Sequence, residues 1–530
     1  MRPKKTKHTL EGRSMRYLLT SLLALVALQQ PALASELPRI IVYITVEDLR
    51  ADYLEQLRPL FVSDGINRMI TDGRYERHLA FPLVELNRAS SVATLHTGAY
   101  PQIHGIERPT LWDSKLQQRR SIFHDSQVLG HYSRDTFSPK ALQVNTLGDR
   151  LKEASGGASL VYAVAPSAEV AITSAGWFGN GAFWLDDKIG SWASSSYYEA
   201  MPKAIEAYNR SAEGPNKRLV AGQMLWTPQK SYSTPERDWS DWSQRFSHRY
   251  QGFQAGEFKR SALANEEVTT LALRLLEAGG YTESKALGML ALGYSLDVRP
   301  HGTSSELTSE EVDAYVRLDQ NIHSLLKVLE QKFGRNGYLV ALTGTGYSHY
   351  QRPNFKGAEA RYGQFSTKKA SALLNLFLSA LYGQGSWVEH LHDGRLILNK
   401  KLAESKRISL SELQQRSASF LEEMEGIGMA VAGERLITQS SLSDEALRLR
   451  RSVHNRYLAD VYWTLIPGWT VEEPTDNPNL QLISTAIDSP CILFGAGVSA
   501  KEQAYPLVEA PDLVKAISRI FRIRPPNAVR

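Results

Sequence analysis

The sequence predicts an α/β fold: a doubly wound, mostly parallel sheet with helices on both faces and inserted cap regions. Three observations predict it. Short apolar runs rich in β-branched residues are typical of strands buried on both faces, helical patterns separate these runs, and polar residues directly follow several of them. With 530 residues, of which 42% are hydrophobic, the chain is long enough for one large core with insertions or for two ordinary domains.

The first 34 residues are predicted to be a secretory signal peptide. Six Lys or Arg residues precede an apolar run at residues 17–28, and the small-residue pattern after it predicts cleavage behind Ala34. The run is too short to cross a bilayer, which takes about 20 residues. We therefore expect a periplasmic or secreted chain, residues 35–530, without a transmembrane segment. Translation starts at Met1 and at Met15 both fit the pattern.

The charge of the mature chain excludes one class of partner. The formal net charge of the whole sequence is +5, and the predicted signal peptide holds six Lys or Arg against one Glu, so the remainder is close to neutral. Neither a basic nucleic-acid-binding surface nor an acidic tail remains. The single cysteine, Cys491, has no second cysteine for an internal disulfide, so stability must come from the packing of the core.

Five apolar runs predict the strands of the sheet. They lie at residues 40–46, 160–164, 287–292, 338–343 and 491–494. The clearest helix is predicted between the third and fourth runs, over residues 308–333, because Thr308 and Glu311 form a capping-box pattern ahead of an apolar face. Ligands of a doubly wound sheet bind beyond the carboxyl ends of its strands. The residues to inspect are therefore 47–48, 297–301 and 343–347.

Two segments lack this alternation and are predicted to be insertions in the domain that spans residues 35–530. Residues from about 191 to 254 are rich in Ser, Trp and Tyr without clear periodicity, which is typical of a cap or loop region. A second insertion is predicted at about residues 357–460, and it contains a helical pattern at 410–424.

Seven short segments, in order along the chain, resemble those of the alkaline phosphatase superfamily, in particular its threonine-nucleophile monoesterases, which are related to nucleotide pyrophosphatases and phosphodiesterases. They are residues 46–54, 97–106, 146–149, 183–187, 315–319, 466–469 and 510–513. Because they span nearly the whole mature chain, the resemblance implies the superfamily fold. It also implies a site where two metal ions clamp the attacking and leaving oxygens of a phosphoester.

The resemblance further implies that four residues stand at metal-ligand positions. Glu47 takes the place of an Asp ligand, although a solvated acidic pair with Asp48 at the strand end is the equal alternative. Asp297 and His301 keep the spacing of an Asp and a His that bind one metal. Asp488 stands at the position of the last His ligand, where a carboxylate also suits a metal.

Two further ligands of the superfamily are missing. Its Thr-Ala-Asp-His-Gly segment corresponds to residues 343–347, so that Thr345 and Gly346 replace an Asp and a His. We therefore expect at most one divalent ion, with zinc as the first choice, bound by Asp297, His301 and Asp488; a chain without metal is the alternative.

The nucleophile is missing as well. Counted back from the Thr-Gly-x-x-Pro segment, Arg88 stands at its position, and a guanidinium cannot attack phosphorus. We interpret the nearby hydroxyls of Ser90, Ser91 and Thr94 as helix-capping and packing groups. No catalytic residue is assigned. We expect Arg88 to replace the charge of the missing second metal through an ion pair with the Glu47–Asp48 segment.

The substrate-binding positions have also changed. The Asn that follows the His-Gly-Ile segment corresponds to Pro109, and the Lys-x-Arg of the monoesterases corresponds to Ser167 and Glu169. Glu169 therefore reverses the charge at the phosphate position, and a phosphate dianion would be repelled there.

Three functional hypotheses follow. The favoured one is a catalytically degenerate pseudo-phosphatase that binds an unknown periplasmic protein or small ligand, or serves as a structural protein. The second is a residual phosphoester hydrolase with one metal and a water nucleophile. The third is an ordinary phosphatase or phosphodiesterase whose nucleophile is misaligned between residues 83 and 92.

Overall fold

The protein is described from a computed structural model, and the structure describes residues 37–113, 115–229, 246–298, 307–348, 363–466, 469–472, 487–498 and 506–529. The strands in these residues are β1 (Ile40–Glu47), β2 (Arg74–Glu76), β3 (Thr110–Asp113), β4 (Gln118–Ser121), β5 (Gly130–His131), β6 (Val161–Ala165), β7 (Gly181–Leu185), β8 (Trp192–Ser195), β9 (Met224–Trp226), β10 (His248–Tyr250), β11 (Gly288–Ser295), β12 (Tyr338–Gly344), β13 (Gly363–Phe365), β14 (Val388–His392), β15 (Arg395–Leu398), β16 (Ile427–Ala432), β17 (Val461–Leu465), β18 (Trp469–Val471) and β19 (Cys491–Gly495).

The α-helices connect and cover these strands. They are Ala51–Leu57, Ile66–Asp72, Arg88–Thr97, Pro101–His104, Leu147–Ala154, Ala168–Ala175, Lys203–Arg210, Pro215–Val220, Ala255–Phe258, Ala262–Glu277, Gly280–Glu283, Ser309–Phe333, Thr367–Tyr382, Lys400–Ser405, Leu410–Glu422, Gly433–Thr438, Asp444–Ser452 and Ala510–Ile520. The longest, Ser309–Phe333, begins with the predicted capping box between Thr308 and Glu311.

A nine-stranded sheet forms the centre of the molecule. Its order is β2-β19-β12-β1-β11-β6-β7-β8-β5, and the pairings from β12 to β7 are parallel. The pairings at both edges are antiparallel. All five predicted strands belong to this sheet. The fifth, β19, runs antiparallel to β12, so its first residues reach the carboxyl edge of the parallel strands.

Both faces of the sheet are buried, as a doubly wound fold requires. Alternate residues of β1 point into two different cores: Ile40 and Val42 into one, Ile41 and Tyr43 into the other. Side chains of the Ser309–Phe333 helix join the first core. The second core includes side chains of the Arg88–Thr97 and Ala510–Ile520 helices. The predicted α/β fold is therefore confirmed.

The segment predicted as the first insertion packs mainly with the sheet. Its first residues form β8, a strand of the central sheet. The Lys203–Arg210 helix and the β9–β10 pair follow, and their side chains Tyr208 and Trp226 lie in the same core as β1. The expected cap is thus largely a lateral extension of the main core, although residues 230–245 lie outside the described part.

The segment predicted as the second insertion has a sheet and a core of its own. Its strands are in the order β14-β15-β17-β16, and β17 lies just beyond the expected end at residue 460. The expected helix at 410–424 is Leu410–Glu422. Trp387 and Trp463 are fully buried in the core of this second sheet.

The described helices include none that is both long enough and apolar enough to span a membrane. The predicted signal peptide, residues 1–34, lies outside the described residues.

Candidate functional site

The candidate site begins with a buried carboxylate at the end of the central strand. Glu47 closes β1, between the ends of β11 and β12, and is 6% exposed. Tyr347 donates a hydrogen bond from its hydroxyl to Glu47 Oε1 at 2.7 Å, and Ser295 donates one from Oγ to Oε2 at 3.0 Å. Burial, followed by the charge of Glu47, raises the pKa of Tyr347, which keeps it a neutral donor. The alternative of a solvated acidic pair is wrong for Glu47.

Arg88 is the cation that faces this carboxylate. It opens the Arg88–Thr97 helix, whose N-terminus is fixed by a capping box between Asn87 and Ser90. Its Nε lies 3.2 Å from Glu47 Oε1 and 3.7 Å from Glu169 Oε1, and its Nη1 donates to Ser167 Oγ at 2.8 Å. The expected ion pair with Glu47 is confirmed.

The contact between Arg88 and Glu47 is not a bidentate pair. Although Arg88 Nε is close to Glu47, its N–H has no well-directed acceptor, so the contact is electrostatic rather than a hydrogen bond. Burial disfavours the Arg88 cation, but the attractions of Glu47 and Glu169 outweigh it and raise its pKa. Arg88 therefore stays charged, and it holds two carboxylates from different elements at one point.

Asp297, the predicted metal ligand beyond β11, is also buried and already bound by the protein. Its side chain is 2% exposed, and Arg260 donates to its Oδ1 from Nη2 at 3.3 Å. Its backbone N–H donates to Ser295 Oγ at 3.2 Å, which ties it to the same strand end as Glu47. His301, its expected partner ligand, lies outside the described residues.

Asp488, the third expected ligand, points elsewhere. Its carboxylate forms ion pairs with Arg77 and with His78, the latter at 3.1 Å, and its side chain is 41% exposed. Its backbone oxygen accepts from Ala51 N at 2.9 Å, which places residue 488 at the carboxyl edge of the sheet. Asp297 lines the cavity described next, whereas Asp488 is not part of its wall. The three-ligand set as a whole stays a prediction.

A cavity of about 490 Å³ opens in front of Arg88 and Asp297. Pro109, Ser167 and Glu169, which the sequence resemblance assigns to substrate positions, all line it. Three cations and four acids are in its wall: Arg88, Lys259, Arg260, Asp135, Glu169, Asp187 and Asp297. Burial, followed by repulsion from Asp186 and Asp187, raises the pKa of Asp135. A wall with more acids than cations is unsuited to a phosphate dianion.

The described residues do not fit a pair of metal ions. A guanidinium stands beside Glu47, and a tyrosine hydroxyl takes one oxygen of the same carboxylate. Gly346, at the position of a lost His ligand, has φ +85°, and a Cβ built there would lie 2.3 Å from Phe81 Cδ2, so a side chain cannot simply be restored. Within the described ranges no group of three His, Cys, Asp or Glu residues is arranged to hold a metal.

Comparison with known proteins gives the family. The family model described as type I phosphodiesterase / nucleotide pyrophosphatase matches residues 41–471. The chain belongs to this family. A protein of Myroides odoratus named calcium-transporting ATPase is 23% identical to this phosphodiesterase-family chain over 528 residues, 93% of each protein. The alkaline phosphatase PhoV of Synechococcus elongatus is 23% identical, over 92% of this chain and 91% of its own length.

The fold also matches a solved member of the superfamily. The crystal structure of wild-type alkaline phosphatase PafA superposes with a TM-score of 0.78 and 18% identity, covering 94% of this chain and 98% of PafA. The expected membership of the alkaline phosphatase superfamily is confirmed by this fold and by the phosphodiesterase family match.

Several contacts of the site escaped the sequence interpretation. The sequence did not assign Ser295 or Tyr347 to Glu47, although Ser295 ends β11 and Tyr347 ends the segment 343–347 that follows a predicted strand. Glu169 was interpreted only as a repulsive charge, whereas it also balances Arg88. The Arg260 contact with Asp297 has no motif that could have revealed it, because Arg260 is far from it in sequence and lies just before a helix.

Proposed function

We propose that this chain is an exported, catalytically inactive member of the phosphodiesterase family that keeps the former active-site cavity for binding a ligand or a partner. The observation that carries the proposal is the ion pair of Arg88 with Glu47: the sequence resemblance assigns the nucleophile position to Arg88, and a protein cation there supports the loss of catalysis. An arginine fixed to two carboxylates and a serine is a structural group, and it is unable to form a covalent phosphoenzyme.

The hydroxyls near Arg88 support the same proposal. Ser90 belongs to the helix cap, and Thr94 donates to the Ser90 carbonyl at 2.9 Å. Ser91 is fully buried. Ser167 lines the cavity, but its Oγ accepts a hydrogen bond from Arg88, and a guanidinium is not a general base. An activated nucleophile is therefore missing from these candidates.

The electrostatics of the cavity favour binding of a ligand other than a phosphate ester. Glu169 contributes a partly buried anion where the resemblance implies an arginine, and Asp297 adds a buried carboxylate on the same wall. Charge developing on a phosphoryl group would be opposed by these carboxylates rather than stabilised. The cavity volume, about 490 Å³, is of the size that small-molecule sites have, roughly 300–1,000 Å³.

Turnover assays test the proposal. The mature chain, purified with added zinc, is given a phosphate monoester and a phosphodiester, with an active alkaline phosphatase as positive control. We expect no hydrolysis above the rate without enzyme. Turnover of about 1 to 1,000 per second, the range of ordinary enzymes, would overturn the proposal.

Metal analysis separates the proposal from the one-metal alternative. We propose that the chain holds one divalent ion or none, and that Asp297 is required for any ion that binds. Elemental analysis of the wild type and of Asp297→Asn is the measurement. One ion lost on this substitution, together with slow hydrolysis, would support the residual hydrolase; two tightly bound zinc ions would restore the ordinary one.

Export is the remaining part of the proposal. It rests on the charged start, the apolar run at residues 17–28 and the small residues before Ser35. Cell fractionation with N-terminal sequencing tests it: we expect the protein in the envelope or medium, with Ser35 as its first residue. A cytoplasmic chain that keeps its first 34 residues would contradict it.

A further inference from the structure

A second cavity lies next to the candidate site, between the central fold and the second sheet. Its volume is about 710 Å³, and Thr110 lies in the walls of both cavities. One side comes from the β3–β4 hairpin, and the other from β14, β15 and residues 456–458. The described residues that the sequence resemblance assigns to metal, nucleophile or substrate positions do not line this second cavity.

The wall of the second cavity is strongly cationic. Seven Lys or Arg side chains and two acidic ones line it. Four of the cations form ion pairs with carboxylates: Arg108 with Glu85, Arg119 with Asp393, Arg395 with Glu107, and Lys400 with Asp460. Glu85, Glu107 and Asp460 lie behind the wall, whereas Asp393 is one of the two acids in it. The seven cations therefore face five carboxylates in all, which leaves an excess of two positive charges.

The excess charge lies at the mouth of the second cavity. Lys115, Lys401 and Arg456 are exposed, and within the described part of the chain no carboxylate forms an ion pair with them. Deeper in the wall, Arg108 and Arg395 are nearly fully buried, and each has a buried Nε–H without an acceptor in the described residues. Buried carboxylates fix these two guanidinium groups, so their positions do not depend on a ligand.

One side of the second cavity is apolar and flat. The ring of Trp112 stacks on that of His390, with centroids 4.3 Å apart and an angle of 8° between the planes. Leu111, Ile397 and Leu458 are further apolar residues in the wall of this cavity. An apolar, aromatic surface beside fixed cations suits a ligand with a hydrophobic body and an anionic group.

We propose that the second cavity binds a small organic anion that carries at least two negative charges on an apolar or aromatic body. The two excess cations predict a ligand with two negative charges, and the ring of Trp112 predicts that the rest of the ligand is apolar or aromatic. The volume is that of a metabolite-sized site, for which the usual range is roughly 300–1,000 Å³. Phosphate and carboxylate groups both match arginine geometry, and binding data distinguish them.

Calorimetry with four probes tests the ligand class. Phenyl phosphate and benzene-1,2-dicarboxylate combine two charges with a ring, phenol has the ring alone, and inorganic phosphate has the charge alone. We expect at least one ring dianion to bind at least about tenfold more tightly than phenol and inorganic phosphate. The tighter of the two dianions identifies the preferred anionic group. The proposal would be overturned if phenol or inorganic phosphate bound as tightly as the two ring dianions.

Charge-reversal variants test the location. The Lys115→Glu/Lys401→Glu double variant should weaken binding of the ring dianion at least about tenfold, because two attractive charges become repulsive. Lys203→Glu/Lys217→Glu, a matched change of two exposed lysines on other helices, should leave the affinity unchanged. Lys259→Glu alters the first cavity and not the second, so it should also leave the affinity for the ring dianion unchanged. Loss of binding in Lys259→Glu with retention in the first double variant would place the ligand in the former active site and refute the inference.

Discussion

Two buried arginine–glutamate pairs in this molecule have the same chemistry and different settings. Arg395 on β15 pairs with Glu107 of the central fold, and their side chains are 7% and 0% exposed. Arg88 pairs with Glu47 at the end of β1, with exposures of 16% and 7%. The first pair joins the second sheet to the segment just before β3, whereas the second lies at the ends of the central strands, beside the first cavity.

The partners of each pair show what the difference means. Glu107 also accepts a hydrogen bond from the His454 backbone, and Arg395 donates from Nη1 to the Tyr457 carbonyl at 3.2 Å. Backbone groups of residues 454–457 therefore hold that pair, and Arg395 also lies in the wall of the second cavity. Glu47, in contrast, has hydroxyl donors from two neighbouring strand ends, so its charge is shared among several groups. The ion pair of Arg395 thus connects the second sheet to the central fold, whereas that of Arg88 balances a carboxylate at the strand ends.

The largest effect is expected from breaking the junction pair. Arg395→Ala leaves Glu107 buried without its cation, which costs about 3–5 kcal/mol in the free energy of unfolding. Urea denaturation followed by tryptophan fluorescence is the measurement, since Trp387 and Trp463 report on the second sheet. Adding Glu107→Gln should recover part of the loss, because the stranded charge is removed. A loss below about 1 kcal/mol would show that the pair is not structural.

A smaller effect is expected at the strand ends. Arg88→Ala removes the cation beside Glu47, but Tyr347 and Ser295 still donate to that carboxylate, so we expect a loss of about 1–3 kcal/mol. The same denaturation experiment measures it, with exposed Arg210→Ala as the control for an arginine outside any buried pair. If Arg88→Ala were as stable as the wild type, Arg88 would not compensate the buried charge. If it cost as much as Arg395→Ala, the contrast between the two settings would disappear.

The sequence predicted the fold well because the relevant signals are local. Each of the five apolar runs is short, and β1 and β12, the strands of two of them, are buried along their whole length. Thr308 and Glu311 act within one turn, so the start of the longest helix was visible as well. The direction of β19 could not be predicted from the sequence, because hydrophobic patterning does not distinguish a parallel from an antiparallel neighbour.

The candidate site was only partly predictable. Arg88 and Glu47 were paired on the basis of charge, since a buried carboxylate without a metal needs a cation. The orientation of Asp488 toward Arg77 and His78 depends on side chains that only the folded chain brings together, and no spacing encodes it. The boundaries of the insertions could not be predicted for a related reason. Trp192 and Trp226 lie in a segment whose composition is typical of a loop, but both are buried core residues.

The junction should also be sensitive to acid. Burial lowers the pKa of His390 to about 4, in surroundings that include Asp393, His392 and Arg119. An unfolded histidine has a pKa near ~6.5, so between these values the unfolded chain carries a proton that the folded chain lacks, and falling pH favours unfolding. His390→Phe keeps a ring against Trp112 but has no group that titrates in this range. The variant should therefore not show this loss of folding stability at low pH.

The variant and the wild type should therefore differ in their pH profiles. At pH 5 the wild type should have lost about 1 kcal/mol more than His390→Phe relative to pH 8, after allowance for the partial exposure of the ring. Urea midpoints between pH 8 and pH 5 measure this difference. Parallel profiles would mean that His390 titrates normally and that the junction around Trp112 is open to water.

The smallest expected effect is that of Arg88→Thr at the strand ends, which should leave the monoesterase activity unchanged. If the resemblance assigns the positions correctly, Arg88→Thr supplies the nucleophile hydroxyl, while Thr345 and Gly346 still occupy the positions of two metal ligands. The φ of Gly346 and the proximity of Phe81 prevent a His from being added there without rearrangement. Nothing then lowers the pKa of the new hydroxyl or clamps the leaving oxygen. With zinc present, the release of phosphate from a monoester should equal that of the wild type, within the detection limit set by an active phosphatase. Measurable monoesterase activity from this single change would show that the metal site is still functional, and the replacement of the second metal by Arg88 would then be wrong.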